Sequence, residues 1–151
     1  MLNKLLNFDF FERRREYGVI FLRLIIGAFI VYGVQDNVFS FHEMQKFAMF
    51  LAARGVPFPL FSAFLSAYTQ MLCGLSILFG AGVRLAAIPF IINFIAAIVI
   101  AHRGDTFAGM FPALLMICAG LFFLFHGAGK LSIDEWLEQR QQEGRPSGAA
   151  L

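Results

Sequence analysis

Residues 61–81 read FSAFLSAYTQMLCGLSILFGA, and after Gly82-Val83-Arg84 residues 85–101 read LAAIPFIINFIAAIVIA. Arg84 is the only charged side chain in these 41 residues. Crossing a bilayer as a helix takes roughly 17–25 mostly apolar residues. Only a helix satisfies its backbone polar groups within one such segment. The two runs are therefore predicted to be membrane-spanning helices broken by Gly80-Ala81-Gly82. So short a break makes them antiparallel neighbours. Two further runs qualify on the same grounds, at about residues 17–34 and 108–126. His102-Arg103-Gly104-Asp105-Thr106 separates the third span from the fourth.

The whole chain agrees with its most telling stretch. Of its 151 residues 59% are hydrophobic and only 15% charged, with 20 Phe. Soluble domains average about 45–50% apolar and about 25% charged. Such a composition excludes disorder, a collagen-like fibre and a nucleic-acid binder, and the net charge of +2 provides no basic binding face. Cys73 and Cys118 lie far apart inside apolar runs, with neither zinc-ligand nor CxxC spacing. No haem, flavin or metal motif is present. The expected fold is an all-α membrane protein: a four-helix transmembrane bundle of two antiparallel hairpins, with an outer amphipathic helix. Its parts are an N-terminal segment (1–16), the four-helix domain (17–131) and a C-terminal tail (132–151).

Direction follows from charge, because cytoplasmic loops carry excess Lys and Arg. With the N-terminus inside, eight cations (Lys4, Arg13, Arg14, Arg15, Arg84, Lys130, Arg140 and Arg145) face the cytoplasm and three (Lys46, Arg54 and Arg103) face out. Both termini are accordingly expected inside, in a bacterial inner membrane. The residues 1–11 lack a continuous apolar core, so the first span is expected to act as an uncleaved anchor. From Phe41 the outer segment reads as an amphipathic helix lying at the interface, with Gly55 at its C-cap and Pro57 and Pro59 leading into the second span. In the tail, Ser132 and Glu135 form a capping-box signature for a short helix to about Gln142, beyond which residues 144–148 read as frayed.

An internal repeat is visible. Gly74–Leu85 closes the second span and aligns with Gly120–Leu131 closing the fourth, with His126 as one inserted residue. Both segments contain Gly-Ala-Gly. A weaker echo links Arg23-Leu24 and Phe29-Ile30-Val31 with Arg84-Leu85 and Phe90-Ile91-Ile92. Two parallel hairpins about an axis along the membrane normal would produce both matches.

Polar side chains at bilayer depth need a reason, since a charge there costs roughly 2.5–3.5 kcal/mol on insertion scales. Arg23 reads either as a cation facing the bundle, able to hold an anionic head group, a carboxylate or a quinone oxygen, or as a snorkelling side chain. Gln70 and Asn93 read either as ligand contacts or as interhelical hydrogen bonds. His102 closes the third span beside Asp105 and His126 closes the fourth on the opposite side, so the two cannot share a metal.

Together these features resemble the DoxX family of small bacterial four-helix membrane proteins. Arg23-Leu24 with Gly27 and Gly33, Gly74 through Arg84-Leu85-Ala86-Ala87, and Gly127-Ala128-Gly129-Lys130-Leu131-Ser132-Ile133-Asp134 carry the resemblance, over about residues 17–135. It implies a link to quinone chemistry, since the family takes its name from a subunit of a terminal quinol oxidase and relatives are tied to thiosulfate:quinone oxidoreductase. The chain departs from the family at Gln70, where many relatives carry Glu, and at Pro112, where some carry a carboxylate. Neither residue relays a proton.

The leading expectation is an inner-membrane subunit of a respiratory or sulfur-metabolism redox system. It would bind a quinone or another lipophilic ligand through Arg23, Tyr32, Gln70, Asn93 and His102. Electrons would come from redox partner proteins or from a soluble reductant. Arg84, Lys130, Ser132 and Asp134 would order the cytoplasmic end, with Asp134 pairing with Arg84 or Arg23. The alternatives are a non-enzymatic scaffold or assembly factor and a small transporter. Besides the lipid bilayer, a second copy of the chain is an expected partner, given the Phe surface to be buried.

Overall fold

A computed structural model describes residues 14–143, and among these every regular element is helical. Six helices follow in order: α1 Arg15–Phe39, α2 Phe41–Ala53, α3 Pro59–Phe79, α4 Val83–Ala101, α5 Phe107–His126 and α6 Ile133–Glu143. Four of them, α1, α3, α4 and α5, are long and apolar enough to cross a membrane. The expectations for residues 1–11 and 144–148 fall outside the described residues.

The first span is longer than the hydropathy pattern suggests. Polarity rises at Gln35-Asp36-Asn37, yet α1 continues to Phe39, because nothing in those residues breaks a helix. Ser40 ends it: its backbone is extended (φ −124°, ψ 114°) and its amide donates to the Asp36 carbonyl. The same residue starts α2, its hydroxyl accepting from the Glu43 amide at 3.4 Å. Gly55, at φ +75°, follows α2 in the left-handed region that favours glycine. Pro59 then opens α3, where a missing N–H costs nothing.

Side-chain contacts fix the pairing. Gly27 of α1 lies against the Leu78 backbone and Gly74 of α3 against Ile30 and Val31, so α1 and α3 run antiparallel. In the same way Gly120 of α5 lies against Phe90 and Ile91 of α4. Cys73 to Ala86 and Ser66 to Asn93 join α3 to α4 across the hairpins. The expected two hairpins are thus present. The core divides by height. Toward the end where α1 begins, Val19, Ile26, Ile77, Val83, Phe90, Met116 and Phe123 pack together from all four spans. Toward the other end Val34 of α1 and Ala63, Ala67 and Met71 of α3 enclose Met44, Ala48 and Leu51 of α2. Helix α2 therefore completes the core with one face while Phe41 and Met49 on the other remain exposed, as an interfacial helix requires.

Candidate functional site

The end of the bundle where α1 begins is organised by Arg23, which is 3% exposed. A buried guanidinium must satisfy five N–H groups. Here Nε donates to the Ile77 carbonyl at 3.1 Å and one terminal nitrogen to the Leu78 carbonyl at 3.3 Å. The other terminal nitrogen reaches the carbonyls of Ala128 at 3.1 Å, and of Lys130 and Leu131 at 3.3 Å. The acceptors at Ile77 and Leu78 belong to the last turn of α3, where helix carbonyls lack intrahelical partners. Those at 128–131 belong to the loop after α5. Arg23 therefore neither snorkels nor presents its charge to a cavity. It ties one end of α3 to the loop that follows α5.

Asp134 performs the complementary task. Its carboxylate accepts from the Gly82 amide at 2.6 Å and the Val83 amide at 3.2 Å, the orphan donors at the start of α4. Its own amide donates to the Gly80 carbonyl at 2.9 Å. The carboxylate's hydrogen bonds go to backbone amides, while Arg23, one of the two cations expected from sequence to partner it, acts on it through charge alone. The Ser132 hydroxyl donates to the Gly129 carbonyl at 2.7 Å and accepts from the Glu135 amide at 3.1 Å, so the anticipated cap forms. Glu135 returns to the Leu131 amide at 2.8 Å and pairs with Lys130 at 2.8 Å. These contacts, Lys130 foremost, hold the Glu135 carboxyl below its ordinary range and push the Lys130 ammonium above its own.

The repeat is physical. Arg84, the counterpart of Arg23, reaches the Phe125 and His126 carbonyls that end α5, both at 3.5 Å. Gly80 and Gly127 both have positive φ, +70° and +85°, as do Gly82 and Gly129, +63° and +68°. A Cβ on Gly80 would collide with the Arg23 guanidinium, and one on Gly127 would lie 3.1 Å from Arg84 Nε. Each hairpin thus has an arginine from its first helix folded over a glycine that ends its second.

A separate polar cluster lies halfway along α3 and α4. Gln70 Nε2 donates to the Ser66 hydroxyl at 3.1 Å, which donates to Asn93 Oδ1 at 2.8 Å. All three side chains are half-buried. The relay leaves Gln70 Oε1 and the Asn93 amide nitrogen without a hydrogen bond among the described residues. In hydrocarbon an unmatched amide costs several kcal/mol by order of magnitude. The cluster thus has an acceptor and N–H donors to offer a carbonyl- or hydroxyl-bearing partner.

Of the ligand contacts expected from sequence, Gln70 and Asn93 are brought together. Arg23 sits at the end where α1 begins, hydrogen-bonded to five backbone carbonyls. His102 lies at the opposite end of α4, its Nδ1 2.9 Å from Asp105. Tyr32 is 75% exposed on α1. Ser66 escaped the sequence reading, although its four-residue spacing from Gln70 places both on one helical face. Among the described residues no group of three His, Cys, Asp or Glu side chains could hold a metal.

A family model described as DoxX matches residues 18–103. The chain is 30% identical over 138 residues to the uncharacterized membrane protein Rv3486 of Mycobacterium tuberculosis, an alignment spanning 82% of this chain and 83% of that protein. No solved structure matches it.

Proposed function

The chain belongs to the DoxX family of membrane proteins, and from that premise we propose that it is a subunit of a quinone-linked redox system, holding a quinone or a similar lipophilic carbonyl compound at the Ser66–Gln70–Asn93 cluster. The observation that carries the reading is the uncommitted amide chemistry midway along α3 and α4. The Asn93 amide nitrogen would donate to a ligand carbonyl, and Ser66 would fix the amide orientation by donating to Asn93 Oδ1. Gln70 Oε1 would accept from a ligand hydroxyl. A quinone in that place would supply two-electron acceptor chemistry to partner proteins that deliver the electrons. The chain's own role is to bind and orient, since Gln70 and Asn93 do not ionise and can move no proton by titration. Under this reading the termini face the cytoplasm of a bacterial inner membrane, as the distribution of Lys and Arg favours.

The test is extraction and mass spectrometry of small molecules from protein purified in mild detergent, with an absorption spectrum. A quinone is expected in the wild-type chain and is expected to be lost from Gln70→Leu and Asn93→Leu with the fold intact. Equal retention in both variants would overturn the site. A colourless protein carrying structural lipids alone would shift the reading to a scaffold, with partner capture as the next experiment.

A further inference from the structure

The loop after α5 and helix α6 enclose a cleft of about 590 Å³ against the start of α4. Most charged groups lining it are already committed. Asp134 caps α4, Glu135 pairs with Lys130, and Glu16 Oε2 lies 3.3 Å from His126 Nε2. Two are not. Arg84 is exposed and makes only the two 3.5 Å contacts with carbonyls. Glu138, exposed on α6, has no hydrogen bond or ion pair among the described residues. The cleft therefore presents one available cation and one available carboxylate.

Apolar side chains adjoin it. Leu85 lines the cleft and is 76% exposed on α4, and Phe125, outside the lining but preceding His126 and with its carbonyl 3.5 Å from Arg84, is 80% exposed on α5. Both lie at the end of a membrane-spanning helix. A ligand suited to this setting has an anionic group for Arg84, a cationic group for Glu138 and hydrocarbon for Leu85 and Phe125. We propose that the cleft binds a phospholipid whose head group carries a primary ammonium, with the phosphate on Arg84, the ammonium at Glu138 and the acyl chains along Leu85 and Phe125. Guanidinium matches phosphate geometry through paired N–H donors. The carboxylate confers selectivity, because it repels a head group that is anionic alone. The inference is independent of any ligand at Ser66–Gln70–Asn93.

Native mass spectrometry of the full chain in detergent tests it, with phosphatidylethanolamine, phosphatidylglycerol and soluble glycerophosphoethanolamine as probes. The wild-type chain is expected to retain phosphatidylethanolamine about tenfold over phosphatidylglycerol, the scale of one charge-assisted hydrogen bond. Glu138→Gln, at an exposed position that leaves the fold intact, is expected to abolish the preference. Arg84→Gln is expected to reduce retention of both lipids. Equal retention of the two lipids by the wild-type chain overturns the proposal, as does a preference that survives Glu138→Gln or retention unchanged in Arg84→Gln. Binding of glycerophosphoethanolamine as tight as that of the lipid overturns it too, assigning the cleft to a soluble phosphodiester.

Discussion

Gly80 lies directly beneath the Arg23 guanidinium, so that a side chain on the residue ending α3 would collide with the group that caps its carbonyls. Gly80→Ala is disfavoured twice, by φ of +70° and by the collision. The left-handed backbone alone costs an alanine about 1–2 kcal/mol, and the collision adds to it. Thermal unfolding in detergent should show a clear drop in midpoint for Gly80→Ala. Gly18→Ala, where a Cβ meets nothing within 4 Å, should show little change. A Gly80→Ala variant as stable as wild type would contradict the packing.

Arg23→Lys separates charge from geometry. Lysine keeps the cation but has three donors from one atom and cannot span Ile77 and Ala128 together. Arg23→Leu leaves all five carbonyls without this donor, and each that stays buried and unpaired costs about 1–3 kcal/mol. The expected order of stability is wild type, then Lys, then Leu, measured by the fraction surviving heating in detergent. Equal loss for Lys and Leu would mean that the charge contributes nothing.

Close helix contact makes Gly27 a sensitive position. A Cβ there would sit 2.9 Å from the backbone of Leu78. Backbone cannot yield as a side-chain tip can, so Gly27→Ala must push α1 away from α3. Overpacking of this kind typically costs about 1–3 kcal/mol. The check is the unfolding midpoint beside that of Gly33→Ala, which meets open space and should be near neutral.

The loop-to-α6 junction is pH-sensitive at both extremes. Because Glu135 is held below its ordinary value in the folded chain, its contribution is fully present above about pH 4.3, the value for an unperturbed Glu. It is lost as pH falls through the lower folded value. Lys130 behaves oppositely. Its raised folded value gives a contribution present below about pH 10.4 and lost as pH rises through the folded value. Trp136 is the chain's one tryptophan and lies on α6 with the Arg140 guanidinium 4.0 Å from its ring. Its fluorescence should report both transitions, and Glu135→Gln should diminish the acid one. An unchanged acid transition in Glu135→Gln would assign it elsewhere.

Apolar runs and glycine breaks made the four spans and their pairing legible in advance, because bilayer thickness leaves little choice of length or conformation. Ser132 and Glu135 announced their cap because side chain and amide are three residues apart. Arg23 announced only that it needed partners. Its acceptors are main-chain carbonyls, which carry no side-chain signature, and Gly80 and the 127–131 loop decide which are exposed to it. Asp134 likewise reaches amides 51 and 52 residues away, a pairing no local pattern encodes. The Gln70–Asn93 association was half legible: each residue stood out by polarity, but Ser66, which bridges them, is too common in membrane helices to attract notice.

The reach of Arg23 also orders the birth of the molecule. On the ribosome the first span emerges with this cation long before its acceptors exist. Those on α3 follow 54 and 55 residues later and those after α5 follow 105 to 108 residues later. Until the last loop is synthesised, the guanidinium has at most its two acceptors on α3, and its remaining donors must turn to lipid phosphates or water at the membrane surface. Its move into the bundle is therefore a closing step, in which a chain already threaded through the bilayer draws its earliest segment against its latest. A chain cut short before Ala128 would still have every apolar span but would leave that step undone.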